Sequence, residues 1–559
     1  MIVKMKHLDL VCMAADREST LESLRRLGAV HLDLSSAQGA EVAKAKGDAL
    51  DAETAVRAIL KAKKETQGSA DIGAVKGDVA DILKLVSDRE AALNLGEKIE
   101  REIKKYAPYG DFDPALARKL IEKGIDLKSV AELPEVLPTR RLSVMQAELD
   151  EVRRKVISID FKLAGCDEKA IMARYPGLSD RIAFAAAKEL LKESGPLAGI
   201  SGWIPVTKTA ALAEAARENA WGTLLRDPVE GETPPSLIEP PKMFRPMKVL
   251  FTGLGIAPAY TEADVSVPFM CYFSIFFAML VGDGAYGAIF LAATLWGWRK
   301  YLKSGSANSV AKSWLVLLTV FSSATVLWGI LSNTWFGAGL PCCRNWPTVE
   351  WLADPSYHNM MLLCFTIGVS HLMLARIWNG ICKAPDSTCV AEFGWAGILL
   401  FMYFVTNSIV GIFAGIPKWA FTVFGVSLVA VFGFTLKPSE LKTRGAELGM
   451  LLLNIMSALG DIISYVRLFA VGLASVKVAE NFNSMATGLV SPANAWWMNA
   501  LMCVAMVAIL VVGHGLNLAM AALSILVHAV RLNTLEFSNH KGVSWAGYAF
   551  SPFRKTAKL

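Results

Sequence analysis

The sequence places one arginine inside a long apolar segment. Arg467 lies within residues 451–474, a stretch long enough to cross a bilayer. A guanidinium group stays protonated in proteins, and placing one at the centre of a membrane helix costs about 3 kcal/mol even on lenient insertion scales. The position therefore predicts a function for Arg467, and we expect its side chain to face a mobile carboxylate on another chain.

A polar stripe follows in the last apolar segment. On a helix of about 3.6 residues per turn, its side chains fall within an arc of roughly 100°. The members are His514, Asn517, Ser524, His528 and Arg531. A similar face of the preceding segment carries Ser464, Arg467, Lys477 and Asn481. A single Ser or Asn in such a place usually bonds one packed helix to another, but this many charged and titratable groups predict an aqueous or ion-conducting path.

These residues belong to the second half of the chain, which holds nearly all the long apolar runs. Seven apolar blocks cover about 266–298, 313–335, 359–382, 396–416, 418–436, 445–487 and 494–535. Basic residues between the blocks mark the cytoplasmic side. With the N-terminus inside, the first block must cross an even number of times, and residues 282–287 are the predicted hairpin break. The sequence thus predicts about eight transmembrane helices in an all-α domain, the last two long and tilted. A single long helix for the first block is the alternative.

The first half is polar, with no apolar run long enough to span a membrane. Two strand–helix–strand patterns, about 1–36 and 197–227, predict small α/β lobes, and a helical rod at about 37–195 joins them. A heptad spacing within the rod predicts an antiparallel coiled-coil arm. Its seam is Leu142, Met145, Leu149, Val152, Val156 and Ile159. The predicted domains are a cytoplasmic domain at 1–262 that ends in a Pro-rich linker at 228–262, a transmembrane domain at 263–537 and a cytoplasmic tail at 538–559.

Composition narrows the function classes. The chain has 559 residues, of which 53% are hydrophobic and 19% charged, and its mean hydropathy of +0.39 is too high for a soluble enzyme of this size. The net charge of +6 fits basic loops beside anionic lipid better than a nucleic-acid surface. Asp9 and Asp16 interrupt any apolar core of a signal peptide.

We find no phosphate loop, nucleophile elbow or metal-ligand spacing, so we expect no catalytic site, metal or cofactor in this chain. Adjacent Cys342 and Cys343 in a predicted outside loop leave oxidation or metal binding as a minor alternative.

Residues 459–474 closely resemble the signature of the membrane stator subunit of V/A-type rotary ATPases, which is subunit a of the vacuolar enzymes and subunit I of the archaeal and bacterial ones. Three further stretches resemble the family in the same order along the chain. They are residues 201–205 in the second lobe, 282–287 at the first hairpin and 527–537 at the end of the last helix. The resemblance covers the whole chain.

The resemblance implies a stator subunit that forms two offset ion half-channels against a rotor ring of small helical subunits, each with an ion-binding carboxylate. Arg467 is the implied fixed cation, with Arg531 beside it. The half-channels carry H⁺ or Na⁺, and the histidines of the last helix slightly favour H⁺ because they titrate near neutral pH. Candidate lining residues are Glu447, Asp461, Ser464, Tyr465, Glu480, His514, Asn517, Ser524, His528 and Glu536.

The same resemblance implies that ion flow is coupled to ATP hydrolysis or synthesis on other subunits. The expected partners are the rotor ring, peripheral stalk subunits, membrane lipid and, indirectly, the rotary ATPase head; no nucleic acid is expected. The chain is expected to be multi-pass in the cell membrane, with both termini cytoplasmic.

Two other classes stay open. A stand-alone secondary transporter with a cytoplasmic regulatory domain predicts broken helices at matching places in two halves, and a membrane receptor or anchor leaves Arg467 unexplained.

Overall fold

The computed structural model describes residues 2–66, 78–123, 137–173, 175–229, 231–305, 309–339, 347–352, 357–435, 446–489 and 496–555. The chain divides into two compact units. The sheet unit consists of Met5–Pro228 and Ser551–Leu559, and the membrane unit consists of Met1–Lys4 and Val229–Phe550. The predicted linker at 228–262 therefore belongs almost wholly to the membrane unit. The predicted tail at 538–559 belongs to the membrane unit up to Phe550 and to the sheet unit from Ser551 onward.

The sheet unit contains one four-stranded antiparallel sheet in the order β2-β3-β1-β4. Its strands are β1 Met5–Met13, β2 Lys192–Ser194, β3 Leu197–Pro205 and β4 Gly222–Arg226. Met5 of β1 faces Pro205 of β3, and His7 faces Arg226 of β4. The prediction of two separate lobes is therefore wrong.

The two strand–helix–strand patterns form one sheet because neither has enough strands to bury an apolar face alone. Leu8 and Leu10 of β1 and Ile200 and Ile204 of β3 lie in the same buried cluster. The predicted strand near His31 is reduced to an isolated bridge to Trp203.

Helices fill the rest of the sheet unit. They are α1 Arg17–Leu27, α2 Ala40–Glu65, α3 Val79–Tyr106, α4 Pro114–Glu122, α5 Leu142–Ala164, α6 Glu168–Met172, α7 Tyr175–Leu190 and α8 Thr209–Glu218. Helices α3 and α5 run antiparallel, since Tyr106 packs with Met145 while Ile82 shares a cluster with Ile159. All six predicted seam residues of α5 are buried or half-buried. The seam packs within the chain, as predicted, and its coiled-coil geometry stays a prediction.

The membrane unit is helical. Its helices are α9 Met247–Leu254, α10 Ser266–Val281, α11 Gly284–Ser304, α12 Ser309–Ser332, α13 Pro347–Leu352, α14 His358–Lys383, α15 Thr388–Ile409, α16 Lys418–Phe434, α17 Ala446–Ile463, α18 Val466–Thr487, α19 Trp496–Ser524 and α20 Ser538–Lys541. Within the described ranges, five apolar helical spans are long enough to cross a membrane. Two of them, Gly449–Gly488 and Ala500–Lys541, cover 40 and 42 residues. The first comprises most of α17 together with α18, and the second runs from α19 through α20. The unusual length of the last two is thus confirmed, while the count of eight stays a prediction.

The predicted break in the first apolar block is confirmed. Helix α10 ends at Val281, and Gly282 follows with φ of 70°, a left-handed conformation that glycine adopts without steric cost. The chain then reverses, because Phe277 before the break and Phe290 after it lie side by side with ring centroids 6.4 Å apart. A Cβ atom on Gly282 would approach the carbonyl oxygen of Gly472 to 3.0 Å, so this turn packs backbone to backbone against α18.

Candidate functional site

Arg467 lies directly after the break between α17 and α18. The fully buried Tyr465 fills the junction. From the first turn of α18, Nη2 of Arg467 donates to Oε1 of Glu536 over 3.1 Å. The side chain of Glu536 is 5% exposed and that of Arg467 is 23% exposed. The pair is thus largely shielded from solvent, where charges interact more strongly than at a surface.

Arg531 reaches the same carboxylate from its own helix. Ile525–Ala529 and Leu532–Phe537 are π-helical, with hydrogen bonds between residues five apart, a geometry that is frequent at functional sites. The wide turn brings Nε of Arg531 to 3.5 Å from Oε1 of Glu536. Two guanidinium groups therefore share one carboxylate. We call Arg467, Arg531 and Glu536 the arginine cluster, and it carries an excess of one positive charge.

Several buried polar atoms of this region have no hydrogen-bond partner within the described part of the chain. They include Nη1 of Arg467, Oε2 of Glu536 and Nδ1 of His528. Most buried polar groups in proteins are paired. The arginine cluster thus combines an unused buried donor with an excess positive charge, and both properties favour a further carboxylate as its partner.

His514 and Asn517, the first two residues of the polar stripe, make hydrogen bonds between helices. Nδ1 of His514 lies 2.8 Å from the hydroxyl of Tyr286 on α11, and the amide of the buried Asn517 donates to the same hydroxyl over 3.0 Å. Asn517 also donates to the carbonyl of Ser475 on α18 over 2.8 Å. These bonds are those expected between packed membrane helices. The structure does not bring His514 or Asn517 into the arginine cluster, and their role in lining a half-channel stays a prediction.

Asp461 takes part in a second charged cluster. Oδ2 of Asp461 lies 3.0 Å from Nε2 of His540, and Nδ1 of His540 accepts from Nε of Arg376 over 3.1 Å. Arg376 continues to Glu392 over 3.2 Å, and Lys383 donates to the other oxygen of Glu392 over 2.6 Å. We call these five residues the His540 network. Arg376 and Lys383 lie at the end of the third apolar block, where basic residues mark the predicted cytoplasmic side, and sequence reasoning gave them no other role. It missed Glu392 and His540, because no local pattern joins residues so far apart.

Tyr465 makes a contact that the sequence did not reveal. Its hydroxyl lies 2.9 Å from Nδ1 of His371, which is fully buried on α14. The His371 ring stacks between Tyr272 and Phe537, with ring centroids at 4.0 and 4.4 Å. These contacts fix Tyr465, the residue before α18, and Phe537, the residue after Glu536, so they support the arginine cluster from both chain segments. In the sequence, the signal for this contact was a histidine within an apolar run.

The remaining predicted residues lie apart from these clusters. The Ser464 hydroxyl donates to the carbonyl of Gly460 in its own helix over 3.0 Å. Glu480 pairs with Lys477 over 2.7 Å, and both line a cavity of about 240 Å³ beside α10 and α14. Ser524 is half-buried at the end of α19.

Three predicted residues lie outside what the structure describes. Glu447 belongs to α17, but its side chain is not among those described, and Cys342 and Cys343 fall in the gap at 340–346. Among the described residues, no group of three or more His, Cys, Asp or Glu side chains could hold a metal ion. The charged side chains of the two clusters can form ion pairs and exchange protons.

These features define a class of protein. Intramembrane arginines and carboxylates are costly and mark ion pathways by default, so this site among apolar helices is typical of ion-handling membrane proteins. No protein-family model matches the chain. Curated relatives do match it over its whole length.

The chain is 27% identical to the V-type ATP synthase subunit I of Borreliella burgdorferi, with complete coverage of both chains. It is 28% identical to the V-type ATP synthase subunit I 1 of Treponema pallidum, over 99% of this chain and 100% of that one. The A-type ATP synthase subunit I of Methanocaldococcus jannaschii is 24% identical over 89% of this chain and 73% of its own. These full-length matches support membership of the V/A-type ATPase subunit a/I family.

Proposed function

We propose that this chain is the membrane stator subunit of a V/A-type rotary ATPase, located in the cell membrane with both termini in the cytoplasm. Two relatives that match the chain over their full length are named as subunit I of V-type ATP synthases, which supports the assignment. The chain forms ion half-channels against a rotor ring and couples H⁺ or Na⁺ translocation to ATP hydrolysis or synthesis on other subunits. The sheet unit, with its antiparallel helix pair, anchors the peripheral stalks.

The observation that carries the mechanism is the charge count of the arginine cluster. Glu536 neutralises only one of the two guanidinium groups that contact its Oε1. Nη1 of Arg467 is buried with no partner in the described residues. A carboxylate of the rotor ring supplies both the missing charge and the missing acceptor.

The charge excess gives the cluster its effect on a passing ring subunit. A nearby opposite charge favours the ionised form of a carboxylate, so a ring carboxylate that reaches Arg467 releases its ion. Arg467 cannot pass on a proton, so it also separates the two half-channels. Once loaded with a new ion, the neutral carboxylate re-enters the lipid and the ring advances.

ATP-driven proton uptake in vesicles that carry the assembled complex tests this mechanism. We expect Arg467→Ala to lower uptake by about a hundredfold or more, the loss typical when a preorganised charge is removed from a site. Arg467→Lys keeps the charge but not the forked donor and should recover part of the rate. Lys303→Ala is the matched control, because Lys303 is an exposed cation at the end of α11.

Wild-type uptake in an assembled Arg467→Ala complex would remove the central claim. Uptake by the purified chain without an ATPase head would favour instead the stand-alone secondary transporter with a cytoplasmic regulatory domain.

A further inference from the structure

The His540 network fixes the protonation state of its histidine. Arginine only donates hydrogen bonds, so the 3.1 Å contact from Nε of Arg376 requires a lone pair on Nδ1 of His540. The single ring proton of the neutral imidazole then sits on Nε2 and points to Oδ2 of Asp461, 3.0 Å away. His540 is therefore a fixed donor to Asp461. A second proton on the ring would break the contact with Arg376 and place an imidazolium beside a guanidinium.

The backbone around His540 is held as firmly as its ring. Asn379 of α14 donates to the carbonyl of His540 over 3.0 Å, and its own side-chain oxygen accepts from Lys541 over 2.6 Å. The ammonium of Lys541 lies 4.6 Å from the centre of the Trp378 ring. His540 itself is 5% exposed. These contacts clamp α20 against α14, so the imidazole has little freedom to turn.

Asp461 is the more accessible of the two carboxylates in the network. Its side chain is 27% exposed, whereas that of Glu392 at the other end of Arg376 is 9% exposed and contacts both Arg376 and Lys383. Asp461 has one oxygen capped by His540 and keeps part of its surface open. It is therefore the carboxylate of this network that is more open to proton exchange.

We propose that Asp461 is the proton-exchanging carboxylate on the side of the membrane where the last helix ends, and that His540 is the positioning residue that holds it, with its tautomer set by Arg376. The inference rests on the proposed function. An O–H bond forms at Asp461 when it takes a proton, and the same bond breaks when the proton moves on, so the residue is unchanged after each passage. His540 keeps its proton throughout.

Two substitutions of His540 separate positioning from packing. In His540→Gln the amide nitrogen falls near the place of Nε2 and can still donate to Asp461. In His540→Asn the shorter amide falls near the place of Nδ1, so it contacts Arg376 but does not reach Asp461. Both replace one buried polar ring by a smaller amide, so a packing role predicts similar defects in the two variants.

The measurement is ATP-driven proton uptake per assembled complex, beside wild type, Arg467→Ala and Asp461→Asn. We expect Asp461→Asn and His540→Asn each to lower uptake by about tenfold or more, a loss comparable to that from a small misplacement of a reacting group. His540→Gln should stay within about twofold of wild type, and the double variant of Asp461→Asn and His540→Asn should be no worse than the worse single one, because the two residues act as one unit.

Equal losses in the two His540 variants, multiplying losses in the double variant, or full uptake by Asp461→Asn would each overturn the inference. Failure of this inference is distinguishable from failure of the proposed function, because Arg467→Ala then still abolishes uptake.

Discussion

Both units of the molecule place an arginine among other charged residues, but with different numbers of carboxylates for each arginine. In the sheet unit, Arg89 of α3 donates to Asp160 over 2.5 Å and to Glu65 over 2.6 Å. The hydrogen bond that Arg89 donates to Asp160 is the main cause that raises the pKa of Arg89. In the membrane unit, Arg467 and Arg531 share Glu536 alone. In the first arrangement two carboxylates contact one arginine, whereas in the second two arginines share one carboxylate.

The comparison separates the ion pairs of Arg89 from those of the proposed functional cluster by counting charges rather than distances. Arg89 ties α2, α3 and α5 together, and its partners lie within the same unit. An unmatched cation in a low-dielectric setting destabilises the protein. We therefore expect such a cation only where a partner supplies the missing negative charge. We therefore expect substitutions of Arg89 to change stability alone, and substitutions in the arginine cluster to change proton uptake as well.

The largest effect is expected from Glu536→Gln. The substitution keeps the shape of the side chain but leaves two guanidinium groups facing each other without a counter-charge. Removing one partner of a buried ion pair costs about 3–5 kcal/mol, so we expect a large loss of assembled complex and of proton uptake. Yield by size-exclusion chromatography and uptake per complex measure the two losses. Glu350→Gln is the control, since Glu350 is an exposed glutamate of the same unit, and normal yield in both variants would contradict the shared role of Glu536.

A smaller and purely structural effect is expected from Arg89→Ala. Asp160 is then left poorly solvated and unpaired, which costs about 1–3 kcal/mol. Hydrogen–deuterium exchange of α3 and α5 in the full chain should show faster opening, while uptake per assembled complex stays at the wild-type rate. Arg57→Ala, which removes an exposed pair with Glu53, should change the exchange little. Loss of uptake by assembled Arg89→Ala would break the distinction between the two units.

The smallest expected effect concerns pH and the sheet unit. Burial lowers the pKa of His31 from its ordinary value of 6.5, so the folded unit binds a proton there less readily than the unfolded chain does. Its contribution to stability is therefore intact above pH 6.5 and declines as the pH falls below that value. After correction for the intrinsic pH dependence of amide exchange, the protection of β1 and β3 against hydrogen–deuterium exchange should fall as the pH decreases over this range.

His31→Gln tests the origin of that pH dependence, because glutamine does not titrate. The variant should show a flatter dependence of exchange on pH between neutral and mildly acidic conditions. An unchanged slope would assign the effect to other groups of the sheet unit.

Features that depend on neighbouring residues were predictable from the sequence. Arg467 stands out because a permanent charge in an apolar run is visible locally, and the break at Gly282 is visible for the same reason. The seam of α5 follows from its heptad spacing and packs as expected. In each case the information lies within a few turns of one helix.

Features that depend on pairing distant segments were not predictable. The single sheet requires β1 to pair with β3 about 190 residues later, and alternation within a strand does not identify its partner. Glu536 was predicted as a half-channel residue, but its contact with both arginines depends on the π turns, which no residue type announces. The His540 network joins four separate helices, so its members appear in the sequence as unrelated charges.

The π-helical turns also make the cluster depend on chain length. A π turn holds about one residue more than an α turn. The same residues wound as an ordinary α-helix would therefore place everything beyond a former π turn about 100° further around the axis and about 1.5 Å further along it. On such a helix Arg531 and Glu536, five residues apart, would point to different sides even though both were retained. The spacing of residues in this stretch therefore matters as well as their identity.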